Sequence, residues 1–269
     1  MIYFTIALLA EAKPIIKELK LPLQQQSPFQ IYGNEDYKII ITGMGKDQAL
    51  MATTHCLTKF APNNSDILVN FGLAGAQNEF EIGSIVLANT LIDTQTQKKF
   101  YPDMRLIHPY KEVALTTVNE VQTHAQKSIQ AVDMEAFAIY QAALLFLKSS
   151  QILTFKLISD HFSATIPTKD SVSQWIEPHV KSLLQLLETY ENKLPKKLSF
   201  STQLQHEINQ TISVLKLTTS QENQLNDRLK GYLLRHHKEP LLPKHLPEFT
   251  KHKKEQKDAF GKLINLLSS

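Results

Sequence analysis

The chain predicts a mixed α/β domain, with a largely buried central sheet flanked by helices, followed by a C-terminal helical extension. Three observations carry this expectation. Through about residue 193, short apolar runs alternate with stretches of helical periodicity, the pattern of strands covered by helices. The run Lys38-Ile-Ile-Ile-Thr42 is rich in β-branched residues and stops at Gly43, a strand signal. At Leu194-Pro-Lys-Lys197 proline and charge interrupt the pattern, and beyond it the chain looks helical. We therefore expect a first domain over residues 1–193 and a basic helical extension over 194–269.

The elements follow in order. Residues 2–8 form an apolar run with no basic residues before it and Glu11 and Lys13 just after it. It reads as a buried first strand and not as a secretory signal. A helix is expected over Glu11–Leu19, a strand over Tyr37–Thr42 and a helix over Lys46–Phe60. Strands are expected at Asp66–Phe71, Ser84–Ala88, Val113–Val118 and Ile152–Ile158, and helices at Met134–Leu147 and Ser171–Tyr190. In the extension Phe200, Leu204, Ile208 and Ile212 repeat every four residues, an amphipathic stripe that must be buried on the first domain or on another chain. Thr219-x-x-Glu222 reads as a capping box opening a second helix with Leu225, Leu229 and Leu233. The proline-broken segment Pro240–Pro247 precedes a last basic helix ending in Leu263, Ile264 and Leu267.

Composition narrows the class. A chain of 269 residues holds one sizeable core plus an appendage, and 42% hydrophobic residues is ordinary for a globular protein. Cys56 is the single cysteine, which excludes an internal disulfide framework and a multi-cysteine zinc site. No run approaches the roughly twenty apolar residues of a membrane span, and a cytoplasmic protein is expected. Residues 196–269 hold 13 Lys/Arg against 7 Asp/Glu, leaving 16 against 19 for the remainder. Opposite balances point to two regions with different jobs. For Arg235-His-His-Lys238 and Lys251-His-Lys-Lys254, a solvated basic face is a better account than contact with nucleic acid. A helical docking module for a protein partner is our reading of the extension.

Two acids carry the chemistry. In Ala131-Val-Asp-Met-Glu-Ala-Phe-Ala138, Glu135 stands at a helix start; in Leu157-Ile-Ser-Asp-His161, Asp160 ends an apolar strand. Two carboxylates facing one pocket suit glycosidic-bond cleavage, one gripping a sugar hydroxyl while the other gives a proton to the leaving group. Structural roles exist for both: a strand-end Asp can cap a loop, and a first-turn Glu is favoured by the helix dipole.

Four blocks resemble one family in its own order: Ala7-Leu-Leu-Ala-Glu11, Thr42-Gly-Met-Gly-Lys46, Asn70-Phe-Gly-Leu-Ala-Gly75, and the Val-Asp-Met-Glu with Ile-Ser-Asp pair. Over roughly residues 1–190 the chain resembles the nucleoside phosphorylase superfamily, in the branch of methylthioadenosine/S-adenosylhomocysteine nucleosidases. That resemblance implies a purine nucleosidase needing no metal or organic cofactor. Asp160 would be the general acid toward the purine N7, oriented by Ser159. Glu135 would accept hydrogen bonds from the ribose hydroxyls, and Met134 would pack on the sugar. Glu11 would orient or activate water, and Thr42, Gly43 and Gly72 would sit at strand ends near the substrate. Family members are commonly oligomers, so a homodimer is expected.

Water is the expected nucleophile. Phosphorylases bind phosphate with arginine forks, yet within residues 1–195 the one arginine is Arg105, and Asn70 stands near where such enzymes carry theirs. Phosphorolysis is the runner-up. The segment 94–132 is shorter than usual for the family, which keeps a third reading open: a catalytically weak nucleoside-binding scaffold. The histidines show no HExxH-type spacing, and Thr42-Gly-Met-Gly-Lys46 lacks the full phosphate-loop pattern.

Overall fold

Strand β1 (Ile2–Ile6) is buried along its whole length and leads through Ala7 and Leu8 into α1 (Leu9–Glu18). The computed structural model describes residues 1–163, 167–194, 200–242 and 253–268. They fall into two compact units, residues 1–196 and 197–269. In the first unit β2 (Leu23–Gln25), β3 (Ile31–Gly33) and β4 (Tyr37–Ile41) pair antiparallel in turn, and β4 lies parallel to β1 with Ile2 opposite Tyr37. Then come α2 (Lys46–Phe60), β5 (Ile67–Ala76), β6 (Ile85–Asp93), β7 (Lys99–Phe100), β8 (Lys111–Thr117) and β9 (Ala131–Asp133). Next are α3 (Ala136–Ala143), β10 (Ile152–Asp160), α4 (Lys169–Ile176) and α5 (Val180–Lys193).

These strands make one mixed sheet in the order β10-β6-β8-β9-β5-β1-β4-β3-β2, with β7 on β6. Strand β10 pairs parallel with β5 and antiparallel with β6, so β10, β6, β8, β9 and β5 close into a ring. Alternation along the central strands sends side chains to two cores. Tyr3, Leu68, Ala74, Ile152 and Ile158 join Ala52 and Cys56 of α2 and Ile139 of α3 on one face. Phe4, Val69, Phe71, Phe155 and Leu157 join Ile15, Ile176, Leu183 and Leu187 of α1, α4 and α5 on the other.

The elements depart from expectation where tertiary contacts decide. Strand β5 does not stop at Phe71: its glycine-bearing second half is held by β10 on one side and β9 on the other. The helix expected over Met134–Leu147 is confined to α3. The helix expected over 171–190 is broken by a 3₁₀ turn at Glu177–His179, where Pro178 has no N–H for the carbonyl four residues back. Strands β2, β3, β7 and β9 are two or three residues long, too short for any alternation to register.

Pro14 lies inside α1 and likewise leaves the Ala10 carbonyl without its helical donor. The Ser173 hydroxyl of α4 donates to that carbonyl at 3.0 Å, pinning the first turn of α1 in place.

The second unit is a three-helix cluster of α6 (Thr202–Leu215), α7 (Thr219–His236) and α8 (Lys253–Leu266). Leu204 and Ile208 pack with Leu225, Leu229, Phe260, Leu263, Ile264 and Leu267, and Phe200 and Ile212 flank them. The stripe on α6, expected to need cover from the first domain or another chain, is covered within its own unit by the apolar sides of α7 and α8. The capping box is also one residue earlier: Thr218 is the cap, its Oγ1 accepting from the Gln221 N–H while Gln221 Oε1 accepts from the Thr218 N–H at 3.0 Å. Of the segments singled out in sequence, Pro195–Lys197, 243–247 and 251–252 lie outside the described residues. No helix among the described residues is long and apolar enough to cross a membrane.

Candidate active site

The parallel strands β1, β5 and β10 end on the same side of the sheet, where open α/β sheets bind ligands. A cavity of about 190 Å³ opens there. Its walls include Glu11, Asp133, Met134, Glu135, Ser159 and Asp160, among apolar residues such as Leu8, Met44, Val118 and Val132. Two acids far apart in sequence, Glu135 and Asp160, thus line one cleft together with Glu11.

Glu11 sits in the first turn of α1 and is only 4% exposed. Its Oε2 accepts from the Leu8 N–H at 3.3 Å, half of a capping box. The same oxygen faces Gly72 of β5: a Cβ there would lie 3.3 Å from Oε2 and 3.6 Å from Lys156 Nζ. Burial pushes the Glu11 carboxyl up to about 7; Lys156 opposes the rise and Glu135 adds to it.

Glu135 is the residue before α3, at φ −132° and ψ −34°. Its carboxylate does not cap its own helix; Oε1 reaches across to accept from the Gly45 N–H at 2.7 Å. Burial raises its pKa, the neighbouring Asp133 raises it further, and Lys156 and the Gly45 N–H oppose. Asp133 accepts from the Ala136 N–H at 2.7 Å and the Thr117 hydroxyl at 2.7 Å, fixing β9 and β8 to the head of α3.

Asp160 ends β10 and is half-buried. Its Oδ2 accepts from the Ser159 hydroxyl at 2.7 Å and its Oδ1 from the Ser163 N–H at 2.9 Å. Gly75 opposite has no side chain, and a Cβ there would stand 3.1 Å from Oδ1, so the carboxylate can lie against the strand only because that position is glycine.

Sequence reading gave no role to Lys156 or Asp133, and both are central. Lys156 is fully buried, and its ammonium pairs with Asp133 Oδ2 at 2.9 Å. Burial alone would lower its pKa, but Asp133, Glu135 and Glu11 outweigh burial and the net shift is upward. A lysine in the otherwise apolar run Ile152–Ile158 was the signal available in the sequence, since a buried charge must be paired. Gly45 also escaped notice, because its contribution is a backbone N–H.

Thr42, Gly43 and Gly72, the remaining expected site residues, lie apart from the walls. Thr42 is buried, with its hydroxyl donating to the Gly43 carbonyl at 2.8 Å, and neither residue lines the cavity. Gly72 acts from behind, by making room for Glu11 and Lys156. Asn70 is inside the sheet, its Nδ2 donating to the Thr5 carbonyl at 3.2 Å. Phe162 is buried against Val118 and Val132, with Met134 partly covered beside them. Arg105 is 72% exposed and is not among the cleft's walls. Among the described residues no group of three or more His, Cys, Asp or Glu is placed to hold a metal ion.

No family model and no curated protein matches the sequence. Solved structures do match. A candidate 5′-methylthioadenosine/S-adenosylhomocysteine nucleosidase from Francisella philomiragia is similar at TM-score 0.60 and 13% identity, over 70% of this chain and 98% of that one. The 5′-methylthioadenosine nucleosidase of Arabidopsis thaliana is similar at TM-score 0.58 and 17% identity, over 70% and 95%. The futalosine hydrolase of Helicobacter pylori is similar at TM-score 0.55 and 14% identity, over 72% and 97%. The fold is therefore the nucleoside phosphorylase-like α/β fold of these enzymes.

Proposed function

We propose that this protein hydrolyses the N-glycosidic bond of a purine nucleoside of the methylthioadenosine/adenosylhomocysteine type. The observation that supports it best is the meeting of Glu11, Glu135 and Asp160 on one small cleft whose other walls are mostly apolar. In this reading the ribose hydroxyls bind the Glu135 oxygen left free by Gly45. As the bond from C1′ to the base breaks, its electron pair leaves with the purine, and Asp160 gives a proton to N7. Glu11 takes a proton from water as the water oxygen bonds to C1′. A base with a pKa near 7 is matched to that step, being about half ionised at neutral pH while still holding a proton well. Met134 packs beside the sugar, and Ser159 orients Asp160.

The charges favour water over phosphate. Lys156 lies beneath Glu11 and Gly72 with its charge met by Asp133, and among the described residues no lysine or arginine lines the walls, so a phosphate dianion would enter among carboxylates.

The test is release of free base by the full chain from methylthioadenosine and related nucleosides, with and without phosphate. Adenine release without phosphate is expected, and Asp160→Asn should abolish it while leaving the melting temperature within about 2 °C. A requirement for phosphate, with formation of the sugar 1-phosphate, would replace hydrolysis by phosphorolysis. Binding by calorimetry without turnover would make the protein a nucleoside-binding scaffold.

A further inference from the structure

Beneath the cleft, the sheet carries a polar row that the proposed chemistry leaves unused. Thr5 of β1, Asn70 of β5 and Thr154 of β10 are register partners on adjacent parallel strands. Partners in a parallel ladder point to the same face, about 5 Å apart. All three are at most 1% exposed, and Thr5 Oγ1, Asn70 Oδ1 and Thr154 Oγ1 have no hydrogen-bond partner. The Asn70 amide is anchored through Nδ2 on the Thr5 carbonyl, which fixes where its oxygen lies. On this face α2 contributes Thr53, fully buried and with its own Oγ1 unpartnered.

Three orphaned polar atoms in one register row are not accounted for by packing, since apolar side chains fill the next row away from the cleft, at Tyr3, Leu68 and Ile152. Two residues toward the cleft, the same face presents Gly72 opposite Lys156, with Glu11 over them. With no side chain of its own, Gly72 leaves room beside it for the Lys156 ammonium, 3.6 Å from where a Cβ would stand. A water molecule has two donors and two acceptors, and a buried one uses two to four polar partners. It can give a proton to Asn70 Oδ1 and accept from the threonine hydroxyl on one side, Thr5 or Thr154, which stand on the strands flanking Asn70.

We propose that the Thr5–Asn70–Thr154 row is an internal hydration site, binding ordered water in line with Lys156 and Glu11. Its use as a store for the water that attacks C1′ rests on the hydrolase reading; its existence as a water site does not.

A crystal structure of the full chain at about 1.5 Å, with Thr154→Val solved beside it, tests both parts. The expected result is a water peak within hydrogen-bond distance of Asn70 Oδ1 and a threonine hydroxyl, absent or displaced in Thr154→Val, whose side chain keeps the shape but loses the hydroxyl. A dry row, with the hydroxyls turned onto strand carbonyls, overturns the site. In turnover assays Thr154→Val should lower kcat about threefold to tenfold with KM unchanged, as expected for a weakened water-mediated bond. Loss of the peak with unaltered kcat overturns the supply role. A wild-type chain that holds the water but cleaves no nucleoside refutes the hydrolase reading and leaves the hydration site standing.

Discussion

Replacing Glu11 with glutamine separates the electrostatic claim from the catalytic one. The carboxyl's rise from 4.5 to about 7 corresponds, at 1.36 kcal/mol per pH unit, to about 3 kcal/mol. The folded chain holds a proton on Glu11 between those values that the unfolded chain has released. Stability therefore falls as pH rises from about 4.5 to about 7, and stays lowered above it. Glutamine keeps the size and an acceptor for the Leu8 N–H but does not titrate. Glu11→Gln should thus match the wild type near pH 4 and exceed it by up to about 3 kcal/mol at pH 8. Urea unfolding across that range measures the difference, followed by Trp175, which is the chain's one tryptophan and belongs to α4 against α1. The same substitution should cut kcat/KM by about a hundredfold or more, and the wild-type kcat/KM should rise with pH through a midpoint near 7. Parallel stability curves for the two proteins would refute the assignment of Glu11 as a buried, reluctantly ionised acid.

Two further perturbations probe the scaffold of the cleft. Gly75→Ala puts a Cβ 3.1 Å from Asp160 Oδ1, so the carboxylate must move by a few tenths of an ångström; turnover should drop about tenfold or more with little change in melting temperature. Lys156→Met leaves Asp133 buried without its partner and should cost about 3–5 kcal/mol in urea unfolding. Adding Asp133→Asn should recover much of that loss, and strict additivity of the two losses would exclude the coupling.

The amino-acid sequence by itself determined the layer plan. Short apolar runs and helical stretches marked the long strands and helices, because a strand buried on both faces is apolar throughout and a helix buried on one face carries the helical period. It also marked Glu135 and Asp160, carboxylates at a helix start and a strand end, by type and position, and Glu11 through the family resemblance. Short strands such as β9, and the second half of β5, were invisible because their pairing comes from partners distant in the chain. Only the tertiary structure decided that three acids share a cleft, that Lys156 lies fully buried beneath them, and that Asp133 meets its charge. The physical reason is that a lysine's ionisation depends on which charges surround it, and these come from Asp133 and Glu135 at the junction of β9 and α3 and from Glu11 of α1, over a hundred residues earlier. The same holds for the stripe on α6: its period was legible, but its cover, α7 and α8, is chosen by three-dimensional packing.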